Sequence, residues 1–262
     1  MKKCFQLLII AIVFSGCKST GTTPNEPVKS EPTFAYKQQM ENLEKGIYFR
    51  ANGNEPDWNI KISEKTIEFS SLIPGFESLI SNHVEPLRAM DANVKMYRVT
   101  DKSVTMIIHI MRQECINTMS GDKSVYTVRI EIVKDNVSTF LSGCGNYITD
   151  SHLHDIWVLE KLNGEKVSPA DFTKELPNLE INSSTNTFMG FAGCNRMNGI
   201  IFFERGLLRF VNTITTRMAC GDNNKENEFL KALQSTTTYK VENLRLTLTN
   251  HSVNELIFRK VD

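Results

Sequence analysis

The sequence predicts a mainly β (α+β) chain made of two small domains of antiparallel meander or barrel-like sheet, the second with one packed helix. Three observations predict it. Apolar and polar residues alternate with a period of two over several short runs, the mark of strands with one buried face. Those runs come in pairs joined by short polar turns, which reads as hairpins. Near Phe229 the apolar spacing becomes helical. The chain has 262 residues, enough for one large domain or two small ones, and its 40% of hydrophobic residues can fill two cores. Formal net charge is zero, which argues against nucleic acid as a partner, because phosphate neutralisation needs an excess of Lys and Arg.

The first residues read as a targeting segment. Lys2 and Lys3 precede an apolar run over residues 5–14, broken only by Gln6. A membrane-spanning helix needs about 20 apolar residues, so the run is too short to span and suits a secretory signal. Phe14-Ser15-Gly16-Cys17 follows and resembles the bacterial lipobox, with Phe14 where Leu, Val or Ile is usual. The resemblance implies removal of residues 1–16 and acylation of Cys17, palmitate included. Two or more acyl chains hold a protein stably on its membrane. Residues 18–39 contain Pro24, Pro27 and Pro32 among many Ser, Thr and Lys. They are too poor in apolar side chains to fold alone, so residues 17–42 are expected to be the acylated Cys and a flexible tether. Lys18 follows the cysteine, and no acidic residue precedes Glu26. By resemblance to sorting signals this leans towards an outer membrane, with the protein facing the periplasm or the surface.

Of six cysteines, Cys4 leaves with the signal and Cys17 is acylated. Cys115, Cys144, Cys194 and Cys220 remain, and four cysteines allow three pairings. Close metal-ligand spacing such as C-x-x-C is missing from the sequence, and an exported chain meets an oxidising compartment. The spacing favours local pairs, Cys115 with Cys144 and Cys194 with Cys220.

In the first domain, residues 43–148, alternation marks the strands. Ile60 and Ile62 face Ile67 and Phe69 across Ser63-Glu64-Lys65. Residues 96–99 and 104–110 flank Asp101-Lys102, and residues 126–132 and 137–141 flank Lys134-Asp135-Asn136. Residues 74–86 break the pattern and read as a short helix or a long loop. The segments Gly53-Asn54-Glu55-Pro56-Asp57-Trp58, Cys115 with Met119-Ser120, and Gly143-Cys144 together resemble an uncharacterised envelope-lipoprotein domain, with Asp57 in place of that motif's Phe. The resemblance implies no known activity. Glu55 and Trp58 are open to two readings. They are either part of a ligand-binding barrel mouth, or a core plug (Trp58) beside a turn residue that accepts backbone N–H groups (Glu55).

The boundary is expected at residues 149–155. Beyond it come Asp155-Ile156-Trp157-Val158-Leu159, then Phe191-Ala192-Gly193-Cys194-Asn195-Arg196-Met197-Asn198-Gly199, Thr215-Thr216-Arg217-Met218-Ala219-Cys220 and Glu228-Phe229-Leu230-Lys231-Ala232-Leu233. In this order and spacing, residues 153–262 resemble the META domain, the HslJ-like family, with Gly221 where Pro often follows the second cysteine. The resemblance implies a compact domain of mostly antiparallel strands and one helix, links to heat-shock response and novobiocin resistance, and no enzyme. The residues support such a fold independently. Residues 200–203 and 207–211 flank Glu204-Arg205-Gly206, a hairpin connection with Gly. Asp222 or Asn223 suits a helix N-cap, with Glu226 and Glu228 in the favourable first turn.

A Cys194–Cys220 bond would bring Arg196 and Arg217 into one neighbourhood, near Asn195 and Asn198. Arg forks suit carboxylates and phosphates, so these four residues form a candidate patch for a small anion or a partner protein. The plainer reading pairs each Arg with a local acid or backbone carbonyl. His152 and His154 beside Asp155 lack a third metal ligand and read as polar linker. No hydrolase, metalloprotease or nucleotide-binding motif occurs. The expectation is therefore a non-enzymatic, lipid-anchored envelope protein without cofactor or metal. It would bind an envelope protein or a small anionic ligand in stress response or drug tolerance. A small-ligand binder or inhibitor module is the alternative.

Overall fold

The computed structural model describes residues 33–88, 93–173, 175–221, 224–251 and 255–261. The expected signal peptide, Cys17 and most of the tether lie outside these residues, as do Asp222 and Asn223. Among the described residues no helix is long and apolar enough to cross a membrane.

Helix α1 (Phe34–Glu44) opens the described chain, with the Thr33 hydroxyl capping the Tyr36 N–H. This is the end of the stretch expected to be tether. Its composition is polar, yet Gln39 and Asn42 are buried, because the helix docks through hydrogen bonds rather than through an apolar stripe. The Gln39 amide donates to the carbonyls of Thr149, at 2.6 Å, and Ser183, at 3.3 Å.

The strands of the first half are β1 (Ile47–Gly53), β2 (Trp58–Ser63), β3 (Thr66–Ser71), β4 (Ser78–Asn82), β5 (Leu87–Arg88), β6 (Val94–Asp101), β7 (Val104–Met111), β8 (Cys115–Ile116), β9 (Lys123–Ser124), β10 (Tyr126–Lys134) and β11 (Val137–Tyr147). Nine of them form one antiparallel sheet in the order β4-β3-β2-β1-β11-β10-β7-β6-β5, while β8 and β9 pair separately. The expected hairpins are present. Lys134 pairs with Val137 across Asp135 and Asn136, both with positive φ, the backbone that a two-residue turn needs between right-twisted strands. The stretch expected to be helix or loop, residues 74–86, instead holds β4. The irregular parts are residues 72–77, where Ser71 Oγ bonds the Phe76 carbonyl, and residues 83–86 between β4 and β5. Leu79 pairs with Phe69 on the strand beyond.

The second half contains β12 (Asp155–Leu162), β13 (Glu165–Lys166), β14 (Asn178–Asn182), β15 (Thr187–Phe191), β16 (Arg196–Glu204), β17 (Leu207–Thr215), α2 (Glu226–Ser235), β18 (Thr238–Glu242), β19 (Arg245–Thr249) and β20 (Glu255–Lys260). Its sheet order is β13-β12-β14-β15-β16-β17-β18-β19-β20, and β20 also pairs with β12, so the sheet closes on itself. The amphipathic α2 buries Phe229, Ala232 and Leu233 in this core. Asn224 Oδ1 accepts the Glu226 N–H at 2.8 Å at the helix start. A 3-10 turn, Ser151–Leu153, joins the halves, and the Trp157 indole donates to its Leu153 carbonyl at 3.0 Å. The disulfides are Cys115–Cys144 and Cys194–Cys220, one in each half, as the spacing suggested.

Candidate functional site

The two sheets meet along a seam built by the β16–β17 hairpin. Ile200, Ile201, Phe202 and Phe203 are apolar at four successive positions. A strand wetted on one face alternates, whereas one covered on both faces reads as a continuous apolar run. Here Ile201 enters the core of the second sheet, while Phe202 is buried in the core of the first. Phe203 packs against both.

The tip of this hairpin is polar and reaches the first sheet. Glu204 Oε2 accepts the Tyr126 hydroxyl at 2.7 Å, and Oε1 accepts from Lys95 Nζ. Lys95 also donates to the Tyr147 hydroxyl at 2.8 Å. Its neighbour Arg205, with positive φ at the turn, donates to Glu64 at 2.9 Å and places its guanidinium 4.4 Å from the Tyr48 ring centroid. The Tyr48 hydroxyl in turn bonds His83 Nε2 at 2.9 Å and the Tyr97 hydroxyl at 3.3 Å.

Burial governs the protonation of this cluster. It pushes the hydroxyls of Tyr48, Tyr126 and Tyr147 far above the ordinary phenol value, helped at Tyr126 by the adjacent Glu204. Burial alone would raise Glu204 too, but the bonds from Lys95 and Tyr126 hold its carboxyl below the usual range. Lys95 is drawn down by burial more than Glu204 restores it. The pair is therefore a carboxylate neutralised by an ammonium, framed by protonated phenols.

Beside the pair lies a cavity of about 330 Å³ between the sheets, with Lys95, Tyr126, Phe202 and Glu204 in its wall. Arg88 from β5, Arg112 from the end of β7 and Arg209 from β17 also line it. The Arg112 guanidinium sits 4.0 Å from the Phe202 ring centroid, a geometry in which an aromatic face attracts a cation. Four cations thus share the wall with one carboxylate, in a chain whose net charge is zero.

The sites expected from sequence fall elsewhere. Trp58 is 3% exposed and stacks near Phe69 at the end of the first core. It fits because two glycines lie against it: a Cβ on Gly53 would come 2.2 Å from the indole nitrogen and one on Gly143 2.6 Å from Cζ2. An open groove of about 490 Å³ has Trp58 but not Glu55 among its lining residues. Glu55 is exposed in its turn, at positive φ.

Asn195 is buried and structural. Its N–H and Nδ2 donate to the two carboxylate oxygens of Glu226, at 2.7 and 2.9 Å. Its Oδ1 accepts from Thr216 Oγ1 and the Met218 N–H. Arg196, Asn198 and Arg217 are exposed. Arg196 and Asn198 line an open groove of about 710 Å³ together with Glu175 and Glu180, and Arg217 is not among its lining residues. Ligand-type atoms of Cys194, Cys220 and Glu226 lie within 4.8 Å of one another, but both sulfurs are committed to the disulfide. His152 bonds Asp150 at 2.8 Å, while His154 accepts the Ser183 N–H at 3.3 Å, so the two histidines serve separate contacts.

Sequence reasoning missed Lys95, Glu204 and the arginines of the seam. The one signal that could have found them is the unbroken run at residues 200–203, which marks a strand with a second partner surface.

Among curated proteins none matches the chain. Of solved structures, it is similar to a protein studied by NMR at 24% identity, covering 41% of this chain and 90% of that one with a TM-score of 0.34. A protein from Burkholderia xenovorans, also studied by NMR, gives 24% identity, 42% and 86% coverage and a TM-score of 0.34. A crystallised DUF4847-family protein from Bacteroides vulgatus gives 14% identity, 42% and 96% coverage and a TM-score of 0.30. The second half of the chain, residues 151–262, matches the model of the META domain family.

Proposed function

We propose that this protein is a lipid-anchored component of the cell envelope that acts by binding rather than by catalysis, with the seam cavity as its binding site. The observation that carries binding is the cavity, where cations outnumber carboxylates between two interlocked sheets. Its potential nucleophiles and bases are already spent. Lys95 donates to Glu204 and Tyr147, and the Tyr126 phenol is held protonated against Glu204. Two disulfides suit an oxidising compartment, and Phe14-Ser15-Gly16-Cys17 supplies the anchor. A role in envelope stress or novobiocin-type tolerance is in keeping with the META domain resemblance.

The anchor is tested by labelling cells with a radioactive fatty acid. The wild-type chain is expected to take up label and fractionate with membranes. Cys17→Ser is expected to lose the label and leave the membrane fraction. Unlabelled wild-type protein in the soluble fraction would refute the anchor. Novobiocin sensitivity of a deletion strain, restored by the wild-type chain and not by Cys17→Ser, tests the tolerance role.

A further inference from the structure

We infer that the seam cavity binds a small phosphate-bearing anion through the guanidinium groups of Arg88, Arg112 and Arg209, which line its wall. This rests on the reading of the seam as a binding site and names the chemistry of its ligand.

The charge distribution is the first support. Lys95 has its counter-ion in Glu204. Among the described residues, none of the three arginines has a carboxylate partner, although Arg205, next in sequence to Glu204, is paired with Glu64. Like charges gathered in one partly desolvated cavity repel one another. An anion of two or more charges relieves that repulsion, and a neutral ligand does not.

Geometry selects phosphate among anions. A carboxylate has two oxygens in one plane and is satisfied by a single guanidinium fork. The three arginines line one cavity from β5, from the residue after β7 and from β17, elements of two sheets, and three forks suit a tetrahedral group with three terminal oxygens. Size and wall chemistry limit the rest of the molecule. About 330 Å³ lies at the small end of ligand cavities. Phe202, Ile110 and Leu207 offer apolar wall for a short organic portion, with Tyr126 beside them. Both a free phosphomonoester and the phosphomonoester headgroup of a phosphatidic acid present this chemistry.

The test is calorimetric titration of the full chain in detergent with pyrophosphate, glycerol phosphate, citrate and a short-chain phosphatidic acid kept below its micelle concentration. Saturable binding of the phosphates, tighter than citrate, is expected. Arg88→Gln with Arg209→Gln, both exposed side chains, is expected to weaken pyrophosphate binding at least about ten-fold, as loss of charged hydrogen bonds does, with unchanged thermal midpoint. Arg209→Gln alone, with a smaller loss, serves if the double variant folds poorly. Arg196→Gln with Arg217→Gln is expected to bind as the wild type does. Phosphatidic acid binding more tightly than glycerol phosphate makes the ligand a lipid headgroup, and the reverse makes it a soluble metabolite. No saturable binding, citrate tighter than the phosphates, or equal weakening in both double variants overturns the inference. A labelled, membrane-bound chain that binds no phosphate sinks this ligand alone. An unlabelled chain that binds phosphate sinks the anchor and leaves the site.

Discussion

The Tyr126 hydroxyl on the first sheet donates to Glu204 Oε2 on the second, at 2.7 Å and across 78 residues of sequence. The same carboxylate neutralises the partly buried Lys95, so one side chain satisfies two polar groups of the other sheet. Glu204→Ala strips both and leaves an uncompensated ammonium. It is expected to cost about 2–3 kcal/mol, since breaking one side of a partly buried pair leaves the other charge uncompensated. Glu204→Gln keeps an acceptor for Tyr126 and should cost less. Urea denaturation of the two variants checks the order.

Acid should loosen the seam in a defined window. Glu204 titrates below the usual carboxylate range in the folded protein, so the folded state holds its proton less tightly than the unfolded chain does. Its stabilisation is complete above the unfolded value of about 4.3 and is lost as pH falls through the folded value. Asp171, held at about 2 by the Ser168 backbone N–H, Lys225 and the Ser168 hydroxyl, adds a loss at still lower pH. The urea midpoint is expected to fall from about pH 4.5 downward, and Glu204→Gln is expected to flatten the upper part of that fall.

The two readings of Trp58 are separated by Trp58→Ala, and the tightness of its packing is tested by Gly143→Ala. Its new methyl would come 2.2 Å from the Asn52 carbonyl oxygen and 2.6 Å from the indole. Backbone cannot yield cheaply, so a loss of about 1–3 kcal/mol is expected. Trp58→Ala should cost about 3–5 kcal/mol, as for a large aromatic removed from a core. A Trp58→Ala protein of wild-type stability would show that the indole is held for a ligand instead.

The Asn195–Glu226 contact predicts an unusual pH response. Asn195→Ala keeps the backbone N–H but takes the Nδ2 donor from a 7% exposed carboxylate and the Oδ1 acceptor from Thr216 and Met218, and should cost about 2–3 kcal/mol. Asn195→Asp places a second carboxylate there. It should be the more damaging change at neutral pH and should recover in part on acidification, which thermal unfolding at pH 7 and pH 5 would reveal. Reducing the nearby Cys194–Cys220 bond removes a cross-link over 26 residues and should cost about 3 kcal/mol.

Residues whose partners are local announced themselves in the sequence. Alternation at Ile60, Ile62, Ile67 and Phe69 located one hairpin, and Lys134-Asp135-Asn136 located the turn of another. Cysteine spacing gave both disulfides. Leu79 and Ile80 were obscured because five residues are too few to show a period beside two prolines. The helix at Phe34–Glu44 was hidden for a different reason: it carries no apolar stripe, and Gln39 is buried by carbonyls 110 and 144 residues away. Arginines 88, 112 and 209 follow the same logic. Each is an ordinary exposed cation on or beside its own strand, and only the meeting of two sheets collects them. The cysteine argument pointed to Arg196 and Arg217, the arginines tied by a local bond, since local bonds are what spacing can reveal.

Gln39 has one more consequence, a mechanical one. Its amide grips the connector at Thr149 and the second sheet at Ser183, and α1 leads directly into β1 of the first. A force applied at the N-terminal end would be shared between both sheets before either began to unzip. Gln39→Ala should therefore lower the unfolding force in a single-molecule pull from residue 33 more than it lowers the thermal midpoint, since heat strains every contact at once and tension strains this one first.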